Sequence, residues 1–211
     1  MDTKILIKIL LLSSMAILGG CNEKAAKTAS MDKTPGQTIS ANEKVIYAAN
    51  DSAIFDFFQD SAKIAPNEKI MIIVFGTNTD PYSDQLKADV KNNPELGARL
   101  KGEFSSYYLR AHKNLNHKFY HDGEFMDVDT KTLLSIYAID ATPSIIFSDE
   151  KGKVILMVPG YMPPKQFLQT MNFMKEGIWR DKDRKNGEIY EALRDYYLKH
   201  GIDVTKKESK K

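Results

Sequence analysis

The chain has 211 residues, 42% hydrophobic and 27% charged, enough for one globular domain with its own core. Lys and Arg outnumber Asp and Glu by 30 to 28, a net charge of +2 that removes the case for a nucleic-acid partner. A single cysteine excludes an intramolecular disulfide, a Cys-x-x-Cys redox pair, a multi-cysteine zinc site and a four-cysteine iron–sulfur cluster.

Residues 1–20 read as a targeting segment. Lys4 and Lys8 supply a short positive region, interrupted by Asp2, and Ile9 to Leu18 form an apolar run broken only by Ser13 and Ser14. About 10 apolar residues are too few to span a hydrocarbon core, which needs roughly 20. The segment closes with Leu18-Gly19-Gly20-Cys21, which resembles the bacterial lipobox. The resemblance implies cleavage before Cys21, lipidation of its sulfur and acylation of the new terminus. Several chains on one residue anchor a protein firmly, here to the periplasmic side of a bacterial membrane. The only thiol in the chain is then occupied. Residues 21–44 are rich in Lys, Ala, Ser, Thr and Asn without apolar periodicity, and read as a flexible tether.

Order is expected from about residue 45. Asn50 or Asp51 caps a predicted helix whose apolar face is Ile54, Phe57, Phe58 and Ala62. Ile70 to Phe75 is a continuous apolar run of strand length, suited to a central strand buried on both faces. A helix with Leu86 and Val90 follows, and Pro94 restarts it with Leu96 and Leu100 facing inward. Phe104 to Ala111 is the next strand, and His117 to Val128 a strand pair around the turn dipeptide Asp122-Gly123. Thr130 to Tyr137 reads as a short helix, and Ser144–Phe147 with Lys153–Val158 as a hairpin. Pro163-Pro164 opens a helix carrying Phe167, Leu168, Met171 and Met174, with Trp179 sealing its end against the sheet. A last helix, about Asn186 to His200, buries Ile189, Leu193, Tyr196 and Tyr197 and stops at Gly201. This order predicts an α/β domain with a mixed sheet flanked by helices.

Three places carry a resemblance. The buried strand ending Phe75-Gly76-Thr77 is followed by Asp80-Pro81-Tyr82-Ser83 and a helix; Ala141-Thr142-Pro143-Ser144 sets a Thr-Pro at a strand start; and Gly160 precedes the next helix. The chain resembles the thioredoxin fold and is most similar to periplasmic thioredoxins of the sulfur-oxidation (SoxW) type, over residues 45–180, with residues 181–211 adding a helix and a basic tail. In that family Cys-Pro-Tyr-Cys opens the helix and a cis Thr-Pro faces it. Asp80 and Ser83 stand where the resemblance implies cysteines, so the dithiol chemistry is not expected. Asp before Pro is a good N-cap, and Ser83 lacks a nearby histidine base or a Gly-x-Ser-x-Gly elbow. The resemblance also implies that Thr142, before Pro143, offers backbone groups to an extended partner segment, with Tyr82 and Tyr161 as aromatic walls.

His112, His117 and His121 cluster beside several carboxylates, but His117 and His121 are roughly 13 Å apart along a strand, so exposed hairpin histidines are expected rather than a metal site. Met157, Met162, Met171 and Met174 read as gap-fillers of the core, and the tail Lys206–Lys211 as a solvated terminus. No cofactor is expected. The leading expectation is a lipid-anchored periplasmic module that binds a protein or peptide without redox chemistry. The alternatives are an accessory to periplasmic thiol–disulfide exchange and a metal-binding module on the His112–His121 hairpin.

Overall fold

The computed structural model describes residues 54–204. The leader at 1–20, Cys21, the tether at 21–44, the expected cap at Asn50 or Asp51 and the tail at Lys206–Lys211 lie outside the described residues. Strand β2 (Met71–Gly76) is the centre of the domain, and all six of its residues are buried. It lies parallel to β3 (Ser105–Arg110) and antiparallel to β6 (Ser144–Ser148), which pairs antiparallel with β7 (Val154–Pro159), giving a mixed sheet in the order β3-β2-β6-β7. Side chains alternate along a strand, so the continuous apolar run feeds two cores. Ile72 and Val74 join the core under α1 (Pro81–Asn92), α2 (Pro94–Gly102), α4 (Pro164–Glu176) and α5 (Glu188–Lys199). Met71, Ile73 and Phe75 join the other, with α3 (Thr130–Ile136) and a second sheet of β1 (Lys63–Ile64), β4 (Asn116–His121) and β5 (Glu124–Asp129) in the order β1-β4-β5. The expected α/β architecture is present, with five α-helices among the described residues.

Local chemistry starts the helices where the sequence indicates. Asp80, Asn93 and Asp129 cap α1, α2 and α3, each side chain accepting a hydrogen bond from an amide in the first turn. Pro81, Pro94 and Pro164 occupy first-turn positions, where no amide is missed. The C-terminal helix α5 packs into the same core as α4, with Ile189, Leu193, Tyr196 and Tyr197 buried. Met162, Met171 and Met174 are buried in that core as expected. Trp179 is buried too, donating to the Met174 carbonyl at 3.0 Å, with the Arg180 and Arg184 guanidiniums 4.7 and 5.2 Å from its ring. Among the described residues no helix is long and apolar enough to cross a membrane.

Two expectations are corrected. The helix expected through Ala62 is not there: Ile54–Asp56 form one 3-10 turn, Gln59 bridges to Tyr107 at the sheet edge, and Lys63–Ile64 are a strand. Ile54 and Phe58 still face the core, so the apolar residues are satisfied without a helix, and the Gln59 amide bonds the Ser106 carbonyl at 2.8 Å instead of a helical partner. Second, His117 is buried rather than exposed. Its Nδ1 lies 2.6 Å from the Ser61 carbonyl and its Nε2 2.8 Å from the Thr130 hydroxyl, so both ring nitrogens are engaged inside the protein.

The tip of the β4–β5 hairpin docks on the β6–β7 turn. The Asp122 amide donates to the Lys151 carbonyl at 2.8 Å, and His121 Nδ1 sits 3.2 Å from the Gly152 carbonyl. Gly152 has φ +78°, and a Cβ there would meet the Tyr120 carbonyl oxygen at 2.7 Å, so this contact requires glycine.

Gly76, the last residue of β2, is as tightly constrained: a Cβ there would meet Tyr108 Oη at 2.2 Å and Cζ at 2.7 Å. Gly76→Ala therefore forces Tyr108 out of a packed core and is expected to destabilise the domain by about 1–3 kcal/mol, read as a shift of the urea midpoint. Tyr108→Phe in the same background should recover only part of the loss, since Cζ remains.

Candidate functional site

The register of the central sheet builds the site. Phe75 pairs with Ser144, so the loop leaving β2 and the loop entering β6 meet at one end of the sheet. The first loop carries Thr77 and Asp80 into α1; the second carries Thr142 and Pro143, joined by a cis peptide bond.

Asp80 joins the two loops. Its Oδ1 accepts from the Ser83 amide at 2.7 Å, and its Oδ2 accepts from the Thr77 hydroxyl at 2.7 Å and the Thr142 hydroxyl at 2.8 Å. The Thr77 amide in turn donates to Ser83 Oγ at 3.1 Å. Partial burial works against the charge of Asp80, yet hydrogen bonds from Ser83, Thr77 and Thr142 outweigh it and hold the carboxyl below its ordinary value. Such a group is a weak general base at neutral pH, and its oxygens are already engaged. Ser83 is fully buried, and its Oγ accepts from the Thr77 amide. The reading of Asp80 as a cap has a geometric cause.

The other candidates are brought to the same place. Tyr82 projects from the first turn of α1, 59% exposed, and its ring stacks against Tyr161 with centroids 6.4 Å apart. Tyr161 donates to Asp89 Oδ2 of α1. The preceding residue, Gly160, gives its amide to the Pro143 carbonyl at 2.8 Å, which ties the tyrosine pair to the Thr-Pro loop. Within that loop the Ala141 carbonyl accepts from Ser144 Oγ at 2.8 Å. Among the described residues neither the amide nor the carbonyl of Thr142 has a hydrogen-bond partner, although its hydroxyl is held. Among the described residues the loop thus presents one unpaired backbone donor and one acceptor next to the exposed Tyr82 and the half-buried Tyr161.

Lys87 is the residue that the sequence reading passed over. It is buried, 2.8 Å from the Asp84 carboxylate, and donates to the Thr77 carbonyl at 3.3 Å and to Asn78 Oδ1 at 3.4 Å. It thereby fixes the loop whose hydroxyl reaches Asp80. A signal was present: Ser83, Leu86, Lys87 and Val90 share the buried helical stripe of α1, where a lysine needs a partner. The role of Asp89 had no local signal, because Tyr161 is 72 residues away.

The hairpin histidines do not form a comparable site. No group of three His, Cys, Asp or Glu placed to hold a metal exists among the described residues, and both nitrogens of His117 are engaged by protein oxygens.

A mixed sheet covered by helices, with a capped helix start facing a cis Thr-Pro loop, defines a protein of thioredoxin fold. The thioredoxin-like domain family matches residues 57–175, and the chain belongs to that family. A thioredoxin-fold protein from Helicobacter pylori is 33% identical, over 72% of this chain and 97% of that one, with a TM-score of 0.68. A thioredoxin from Thermus thermophilus is 14% identical, over 56% of this chain and 90% of that one, with a TM-score of 0.41. No curated protein matches the chain.

Replacing Asp80 by Ala removes the cap and the link to Thr142, with an expected cost of about 1–2 kcal/mol. The sign of the pH dependence follows from the lowered carboxyl. Its contribution is full above the unfolded value and is lost as pH falls through the folded one. The stability gap between wild type and Asp80→Ala should therefore be constant at neutral pH and close below the ordinary carboxyl value of 3.8. Chemical denaturation of both proteins across the acid range checks this.

Proposed function

We propose that the chain is a bacterial lipoprotein, anchored through lipid on Cys21 to the periplasmic side of the membrane, whose domain binds an extended segment of a protein partner. On this reading it is a branch of the sulfur-oxidation type of thioredoxin in which Asp80 and Ser83 occupy the cysteine positions of Cys-Pro-Tyr-Cys. Without cysteines in the domain it carries out no dithiol exchange and needs no cofactor.

The observation that carries this reading is the split use of Thr142. Its side chain is engaged by Asp80, while its backbone amide and carbonyl are unpaired among the described residues. An extended segment laid beside the loop would satisfy both groups by strand addition, and pockets beside the strand would give selectivity. Tyr82 and Tyr161 supply large, rigid contact area at that position.

Two measurements test the reading. The purified protein should give no turnover in an insulin-reduction assay with thiol reductant, and measurable turnover would overturn the non-redox part. A photoreactive aromatic residue at position 82 should crosslink to a discrete partner in intact cells. Thr142→Ala frees the loop from Asp80 and should weaken capture, and Tyr161→Ala should reduce capture by about tenfold. Equal labelling across the proteome would remove the binding role. For the anchor, Cys21→Ser should move the protein from the membrane to the soluble fraction and abolish labelling by a palmitate analogue.

A further inference from the structure

The outer strands of the two sheets are treated differently. On β7, Tyr190 Oη donates to the Met157 carbonyl at 3.0 Å, and Arg184 Nη1 reaches the carbonyls of Lys153 and Val154 at 3.4 and 3.2 Å. On β3, the Gln59 bridge takes up the Ser106 carbonyl at 2.8 Å. By contrast β5 pairs only with β4, and no described residue covers its other edge. An uncovered edge leaves alternate amides and carbonyls free to pair with another chain.

The side chains along β5 make this edge selective. Phe125, Asp127 and Asp129 alternate on one face, about 6.8 Å apart. Phe125 is 48% exposed and walls a hollow of about 450 Å³ with Pro66, Tyr120 and Lys63, whose Nζ lies 4.7 Å from the Phe125 ring centroid. Asp127 and Asp129 line a separate cleft of about 520 Å³ with Asn116, Val128 and Thr132. Asp129, the α3 cap, accepts from the Thr132 amide at 2.7 Å and Asn114 Nδ2 at 2.8 Å and keeps further acceptor sites. The strand carries three acidic residues and no basic one. Lys118 is opposite Asp127 in the register. Acidic residues on an edge also discourage self-pairing, since two copies of β5 would set carboxylates against carboxylates. That repulsion excludes a second β5 as the occupant and favours a basic one.

We propose that the open edge of β5 takes, by strand addition, an extended segment of another protein that places an apolar residue opposite Phe125 and basic residues opposite Asp127 and Asp129. The two basic residues are therefore two positions apart. No such pair occurs in the parts of this chain outside the described residues, so those segments are not the occupant. This edge is independent of the Thr142 loop.

The test uses the full-length protein and a fluorescent peptide, acetyl-Lys-Thr-Lys-Thr-Ile-Thr-amide, which antiparallel to β5 sets its two lysines and isoleucine against Asp129, Asp127 and Phe125. Anisotropy should show saturable binding to the wild type. Asp127→Lys should weaken it by about tenfold, as an attractive cross-strand pair becomes a repulsive one, and Phe125→Ser should weaken it as well. Asp140→Lys, an exposed acid away from β5, should bind as wild type. A peptide methylated on alternate backbone nitrogens keeps its charge and should not bind. Circular dichroism confirms that each variant is folded, and the two β5 variants provide independent readings. No binding by the wild type, equal binding by the methylated peptide, or insensitivity to Asp127→Lys and Phe125→Ser would each overturn the proposal.

Discussion

One carboxylate holds the site in its shape. Asp80 lies at the start of α1 and accepts hydrogen bonds from a residue of that helix, from the loop before it, and from Thr142, 62 positions away. Two of these donors are hydroxyls and one is an amide, so the negative charge is held by neutral groups. The helix start contributes further, because its free amides favour an anion. In a dithiol protein that same field makes a thiolate available for reaction. Under the function proposed for this chain, the field acts on a group already ionised at neutral pH, and its effect is rigidity. The Thr142 side chain is consumed in the clasp while the backbone beside it stays available.

The clasp works only because the sheet delivers both loops to one end. The pairing of Phe75 with Ser144 sets that end, and the two cores on either side of β2 hold the pairing in register. A slip of one residue would exchange Ile72 and Val74 with Met71, Ile73 and Phe75 between cores of different shape. Bonds from outside the second sheet tie it to the rest of the domain. His117 bonds the Ser61 carbonyl ahead of β1 and the Thr130 hydroxyl at the start of α3, and the hairpin tip bonds the β6–β7 turn at Lys151 and Gly152.

Much of the fold was legible because its signals are local. The apolar run of β2, the Asp122-Gly123 turn, and the prolines at 81, 94 and 164 each decide a backbone state within a few residues. The segment from Ile54 to Ala62 misleads for the same reason. Ile54, Phe57 and Phe58 have helical spacing, but the edge of β3 competes for the Gln59 backbone and wins. His117 has a strand period that tells its face but not its burial, which depends on Ser61, 56 positions away. Within the site, the Asp80 cap and the aromatic pair at Tyr82 and Tyr161 were readable, whereas the bond from Thr142 to Asp80 is a product of the sheet register. Local chemistry names the parts; long-range pairing decides which of them meet.

The ion pair of buried Lys87 with half-buried Asp84 follows the same logic. An ion pair removed from water gains little net stability, because desolvation offsets most of the attraction. Lys87 and Asp84 are therefore better understood by what they fix. Lys87 bonds the carbonyl of Thr77 and the side chain of Asn78, Thr77 bonds Asp80, and Asp80 bonds Thr142. This chain of contacts runs from the interior of α1 to the Thr-Pro loop without passing through solvent-exposed side chains of high entropy. A loop held in this way has little conformational freedom to lose when a partner arrives, and a smaller ordering cost leaves more of the interaction energy as affinity. The polar interior of α1 contributes little as a source of stability, and its consequence is the fixed geometry of the Thr-Pro loop.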